Sequence, residues 1–313
     1  MRKLMLLCAT LCAMAFAVPA TPALAQVART FISGVGDDAN PCSRTAPCKT
    51  FTGTLAKTSA GGEIDCLDPG DFAAVTITQS VTIDCGAGQA GTIGVTTPIT
   101  DAITINTSAS AVIILRNLAL NGFGTSATMG ISTIAFPNGT LIVQHCTISG
   151  FTGAGINFEP NTGRGLLHMS DSSVYKNGVG VIVMPASGVI ASAVFDRVEI
   201  VSNSTDGIDL SGAGTVAGTL RQSFVGENGG DGVSATATAG VYFTVEESSV
   251  IDNLQYGVFS GATGVNLEVG ASTVGANGTG VKTTAGSIFT FGNNQMSANG
   301  VNGSFTAGGM GLQ

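Results

Sequence analysis

Six pairs of a glycine and an aliphatic residue recur down the C-terminal two-thirds of this chain: Gly155-Ile156, Gly180-Val181, Gly207-Ile208, Gly232-Val233, Gly257-Val258 and Gly280-Val281. They are separated by 25, 27, 25, 25 and 23 residues. An asparagine set keeps step, Asn177, Asn203, Asn228, Asn253, Asn277 and Asn299, at intervals of 26, 25, 25, 24 and 22. A third register holds Gly188, Gly214, Gly240, Gly264 and Gly286. Registers that drift together mark one supersecondary unit repeated, because a unit unable to bury its apolar face alone must stack on copies of itself.

Aligning the units on the residue before each asparagine turn gives an apolar column of Ile148, Val174, Val198, Phe224, Val250, Val274 and Met296. Five positions earlier stand Val143, Met169, Ala193, Thr219, Val245, Val269 and Phe291. Two earlier still are Leu141, Leu167, Ala191, Ala217, Phe243, Leu267 and Phe289. The last two columns differ by two residues and therefore share one strand face. Each unit then holds about three short strands between Gly and Asn turns, and successive units stack at ~4.8 Å through parallel ladders. The expected fold is all-β, a right-handed parallel β-helix of about 22–27 residues per coil. Leucine-rich repeats share the period, but they need a Leu-dominated frame and a helical return segment. Returns such as "SGAGTVAG" are poor in helix formers. Left-handed hexapeptide helices need a six-residue aliphatic period, which is absent. A solenoid grows coil by coil without a second core, so one domain is expected, with the β-helix over residues 63–303 and a tail over 304–313.

Ahead of the repeats, Arg2 and Lys3, an apolar run from Leu4 to Val18 and Ala23-Leu24-Ala25 have the form of a secretory signal peptide, with cleavage expected after Ala25. A secreted or periplasmic product would keep ten basic against twenty acidic side chains. Such a surface, with no Lys/Arg cluster, disfavours nucleic acid as a partner. No later apolar run is long enough for membrane insertion. Five cysteines remain after cleavage. In an oxidising compartment Cys42 and Cys48, flanked by Pro41 and Pro47, form a small disulfide loop. Cys66 and Cys85 either bridge adjacent strands or pack as two thiols, and Cys146 is expected as an unpaired buried thiol. No ligand spacing for zinc and no cofactor motif occurs, so neither metal nor cofactor is expected.

Between these regions run Thr30-Phe31-Ile32, Gly36-Asp37-Asp38-Ala39-Asn40-Pro41, Pro47-Cys48-Lys49-Thr50-Phe51, Gly61-Gly62 and Asp68-Pro69-Gly70. This succession of strand, Gly-Asp-Asn-Pro turn, helix start, Gly-Gly turn and Pro-Gly corner resembles the N-terminal region of exported β-helix proteins of the pectate-lyase-like superfamily. Those proteins are bacterial and mostly without assigned activity. In weaker, periodic form the resemblance reaches about residue 303. Phe51 and Leu55, at i and i+4, allow a short helix after Thr50 to cover the open end of the first coil. Residues 26–62 are thus expected to carry the strand, the disulfide loop and this capping helix.

The resemblance also implies catalytic sets to look for, and they are missing. The lyase signatures W-x-D-H and R-x-x-R are absent, and the chain has no Trp. The glycosidase segments N-x-D, G-H-G and R-x-K are absent too, and the lone D-D, Asp37-Asp38, sits in the N-terminal turn. The asparagine set reads as a structural ladder satisfying turn backbone. One surface column, three residues before the apolar anchor, supplies His145, Asp171, Phe195, Arg221, Glu247, Ala271 and Asn293. It would bring His145 near Asp171 and Arg221 near Glu247, at ~5 Å. A histidine beside a carboxylate suits a general base; as solvated pairs these contacts are each worth less than ~1 kcal/mol. The expected function is an exported, non-catalytic β-helix that binds a polysaccharide or cell-surface glycan, or serves as an envelope scaffold. The alternative is a polysaccharide lyase or glycoside hydrolase using the His145–Glu247 strip. The glycine-rich end leads to one more expectation: the tail folds over the last coil through Phe305 and Met310, or the molecule forms a weak end-to-end dimer instead of a monomer.

Overall fold

The computed structural model describes residues 26–86, 91–95, 101–124 and 127–306. The segment expected to be a signal peptide and Met310 lie outside the described residues. The chain winds through three parallel sheets in constant rotation, with eleven strands in sheet 1, ten in sheet 2 and nine in sheet 3 among the described residues. One coil passes through Arg164–Ser170 in sheet 1, Ser173–Tyr175 in sheet 2 and Val179–Val183 in sheet 3. Its neighbours in the next coil are Ile190–Asp196, Glu199–Val201 and Ile208–Leu210, all paired in parallel.

Single residues in the left-handed region make the corners. Between sheets 1 and 2 these are His145, Asp171, Arg197, Gln222, Glu247 and Ala271. Between sheets 2 and 3 they are Lys176, Ser202, Glu227, Asp252, Ala276 and Ala298. Left-handed backbone costs a non-glycine residue roughly 1–2 kcal/mol, so something must hold each corner. At the second corner the asparagine ladder does so. Asn203 N–H and its amide both donate to Asn228 Oδ1 at 3.0 Å, and the pattern repeats from Asn177 to Asn299.

Counting back from that ladder corrects all three columns read from sequence. The buried sheet 2 column is Ile148, Val174, Ile200, Val225, Val250, Val274 and Met296. Val198 and Phe224 are therefore out of register. A one-residue slip reverses the face of a strand, so Phe224 points outward. In sheet 1 the inner columns run Leu141, Leu167, Ala193, Gly218, Phe243, Leu267, Ile288 and Val143, Met169, Phe195, Leu220, Val245, Val269. Phe289 and Phe291 consequently do not stack in the core, because the shortened last coil advances the register by one. Gly218 leaves room between its neighbours, and the rings of Phe195 and Phe243 approach to 6.3 Å across that gap.

Both ends carry covers. Strand β1 (Val27–Ile32) extends sheet 1, and helix α1 (Phe51–Leu55) follows Thr50, whose hydroxyl accepts from Gly53 N–H. Phe51 is fully buried and meets Phe72 edge-to-face at 5.2 Å. Asp38 ties the cap down by accepting from the backbone N–H groups of Lys49 and Thr50 and from the Thr50 hydroxyl. Gly61-Gly62 is an irregularity inside strand β2 (Thr58–Cys66) rather than a free turn, since pairing with β1 jumps from Val27–Thr58 to Arg29–Glu63. Cys42–Cys48 and Cys66–Cys85 are both disulfides. Cys146 is a free, buried thiol whose pKa burial pushes up to about 12, which makes it a poor nucleophile. At the far end Thr306 N–H donates to Ile288 O at 2.7 Å, and Phe305 packs against the core.

Candidate functional site: a groove on the corner of sheets 1 and 2

The corner column that follows sheet 1 is Asn117, His145, Asp171, Arg197, Gln222, Glu247 and Ala271, joined by backbone hydrogen bonds from coil to coil. His145, Asp171 and Glu247 stand where the sequence put them. Phe195 is core instead, and Arg221 belongs to the neighbouring sheet 1 column, opposite Asp196 and Glu246. Arg197 and Gln222 take their places. Placing the column six residues before the asparagine in every coil is the signal that finds them. His168 lies opposite Ile142, away from His145.

Arg197 clamps Asp171 with two hydrogen bonds, Nε to Oδ1 at 2.7 Å and Nη2 to Oδ2 at 2.9 Å. Its remaining nitrogen bonds Asp196, a carboxylate only 4% exposed that Arg221 also pairs with at 2.9 Å. The Arg197 hydrogen bond holds the Asp171 carboxyl below the ordinary carboxylate range. A base is most effective with a pKa near the working pH, so this clamped carboxylate is a poor one. Gln222 donates to Glu247 Oε2 at 2.9 Å. Alongside runs the outer face of sheet 2, where Ser173, Glu199, Phe224 and Ser249 stand in register on successive coils. The two columns line a shallow open groove parallel to the helix axis. Among the described residues no three His, Cys, Asp or Glu side chains converge to hold a metal ion.

The family described as "Right handed beta helix region" matches residues 163–312. Pectate lyase Pel9A superposes over 90% of this chain and 79% of its own, with a TM-score of 0.65 and 14% identity. The chain is a right-handed parallel β-helix. The A-module of the Azotobacter vinelandii mannuronan C-5 epimerase AlgE4 aligns over 81% of this chain and 91% of its own, with a TM-score of 0.44 and 14% identity. Likenesses at these identities are likenesses of fold. No curated protein matches the chain in sequence.

This β-helix carries a second polar feature that the sequence reading missed. On sheet 3, Asp206 Oδ1 accepts from Asp231 N–H at 2.7 Å, and Asp231 Oδ1 accepts from Tyr256 N–H at 3.1 Å. Asp209 points outward from the same sheet and accepts from the Ser211 hydroxyl at 3.1 Å. An Asp directly before two of the Gly-aliphatic pairs, Asp206 and Asp231, was the available signal for their shared position, though not for their burial. Burial, with the nearby charge of Asp206 adding to it, pushes the Asp209 and Asp231 carboxyls up to about 6. Burial raises Asp206 as well.

Those shifts set a pH dependence. A raised carboxyl binds its proton more tightly in the folded state. The stability it lends is full below the unfolded value near 3.8 and is lost as pH rises through about 6. Asp171, held low by Arg197, acts in the opposite sense, and its contribution fades as pH falls below the ordinary carboxylate range. The thermal midpoint is therefore expected to be higher near about pH 4.5 than near about pH 7.5. The Asp209→Asn/Asp231→Asn double variant should flatten that difference in a melting series. A wild-type midpoint that rises steadily from acid to neutral pH would contradict it.

Proposed function

We propose that this chain is an exported, non-catalytic β-helix that binds a polysaccharide or cell-surface glycan in the groove between the corner column and sheet 2. The observation that carries this reading is that planar polar groups there are already oriented by one another around an outward aromatic ring. Asp171 is locked to Arg197, Glu247 is held by Gln222, and Phe224 lies beside them. Fixed hydrogen-bonding groups next to an aromatic face suit a sugar, which offers hydroxyls at its rim and C–H groups on its face. The same locking leaves Asp171 unfit for proton transfer. Two disulfides fit an oxidising compartment outside the cytoplasm, and no helix of the described residues is long and apolar enough to cross a membrane.

One observation favours a second reading, a glycoside hydrolase or polysaccharide lyase working on another outer face. Asp209 and Asp231, with carboxyls near 6, have the tuning that acid–base catalysis uses. The stacked rings of Tyr256 and Phe259 stand one coil beyond Asp231 and two beyond Asp209. Incubating the purified protein with a polysaccharide panel separates the two readings when retention and the release of reducing or unsaturated ends are followed together. Retention without new ends is the expected result. Release of ends would overturn the non-catalytic reading. Asp209→Asn would then abolish release if sheet 3 is the site, whereas His145→Ala and Glu247→Gln would abolish it if the corner strip is.

A further inference from the structure

The groove has a direction, an aromatic position and an unbalanced charge, and together these say more than that it holds a sugar. Resting on the glycan-binding reading of this same groove, we infer that its ligand is an extended polysaccharide bearing free amino groups, laid parallel to the helix axis with one sugar unit per coil.

The direction follows from register. The corner column and the outer sheet 2 column both run along the axis, repeating each coil at the ~4.8 Å spacing of paired strands. That spacing is close to the advance per unit of an extended 1,4-linked pyranose chain. Contacts to such a chain stay in phase along the axis and fall out of phase across it. The seat for one ring is Phe224, partly exposed between Glu199 on the preceding coil and Ser249 on the next. Gln222, two residues earlier in the same coil, orients Glu247 at the other side of this seat.

The charge follows from the partners. Among the described residues Arg197 is the one cation lining the groove, and its guanidinium is spent on Asp171 and Asp196. Glu199 and Glu247 are exposed and receive neutral donors, the Ser173 hydroxyl at 3.4 Å and the Gln222 amide at 2.9 Å. A hydroxyl or amide leaves a carboxylate's charge in place. Three carboxylates thus face one guanidinium in a chain whose net charge is −8. A chain of uronates would meet like charge there. A chain of ammonium groups finds carboxylates on either side of the aromatic seat, and such complementarity sets both selectivity and salt sensitivity.

The test is calorimetric titration of the full-length protein with glucosamine, N-acetylglucosamine, cellulose and galacturonate oligomers of equal length. The glucosamine oligomer should bind roughly tenfold tighter than its acetylated analogue at low salt. That advantage should disappear at about 0.5 M salt and in the Glu199→Gln/Glu247→Gln variant, whose exposed side chains leave the fold intact. Equal affinity for the two, or tighter galacturonate binding, overturns the amino-sugar inference and leaves glycan binding standing. If none of these oligomers binds and the wider polysaccharide panel is also not retained, the glycan-binding reading itself fails.

Discussion

Phe243→Ala is expected to destabilise the protein by about 3–5 kcal/mol. Phe243 is 1% exposed, stacks on Leu267 in the next coil and meets Phe195 across the gap at Gly218. Removing its ring empties volume that strands held by ladders on both sides cannot close. In a solenoid each coil is stabilised mainly by its two neighbours, so the loss falls on the contacts with both adjacent coils and should also broaden the unfolding transition. Urea unfolding followed by circular dichroism measures both effects. Phe289→Ala is the control. Phe289 is partly exposed and pairs opposite Glu268, outside the core column, so its loss should cost under about 1.5 kcal/mol. Similar costs for the two would mean that the register described for sheet 1 is wrong.

Asn228→Ala should be nearly as damaging, at roughly 3–5 kcal/mol, through unpaired groups rather than lost volume. Asn228 is completely buried. Its Oδ1 accepts from Asn203 N–H and from the Asn203 amide, and its Nδ2 donates to Ile200 O at 3.3 Å and Asn253 Oδ1 at 2.9 Å. Alanine strands donors and acceptors on both adjacent coils, where water has no access. Asn299→Ala, at the partly exposed end of the same ladder, should cost about 1–2 kcal/mol. Chemical unfolding of the two variants checks this. A cost at Asn228 no greater than at Asn299 would show that the ladder decorates the corner without holding it.

The periodicity made the architecture legible because inter-coil pairing demands one residue of the same character at the same place in every coil. It made the site only half legible. The sheet 2 strands are three residues long, so an error of one position exchanged inside for outside at Phe224, and an error of two at the buried Val198 hid Arg197. The asparagines, constant in offset, were the better ruler. His145, Asp171 and Glu247 were found because their coils were aligned correctly. Asp206, Asp209 and Asp231 escaped because no local pattern shows how deeply a carboxylate is buried. Burial is what lifts them out of the ordinary range.

Retardation of the protein in polysaccharide-containing gels, compared for wild type, Phe224→Ala and Phe259→Ala, tests most directly the claim that the groove on the corner of sheets 1 and 2 binds glycan. Phe224 and Phe259 are both partly exposed aromatics on outer faces, in sheets 2 and 3 respectively. Loss of retardation with Phe224→Ala and wild-type mobility with Phe259→Ala is the expected result. Retardation that survives Phe224→Ala and disappears with Phe259→Ala would place binding on sheet 3 and contradict the account.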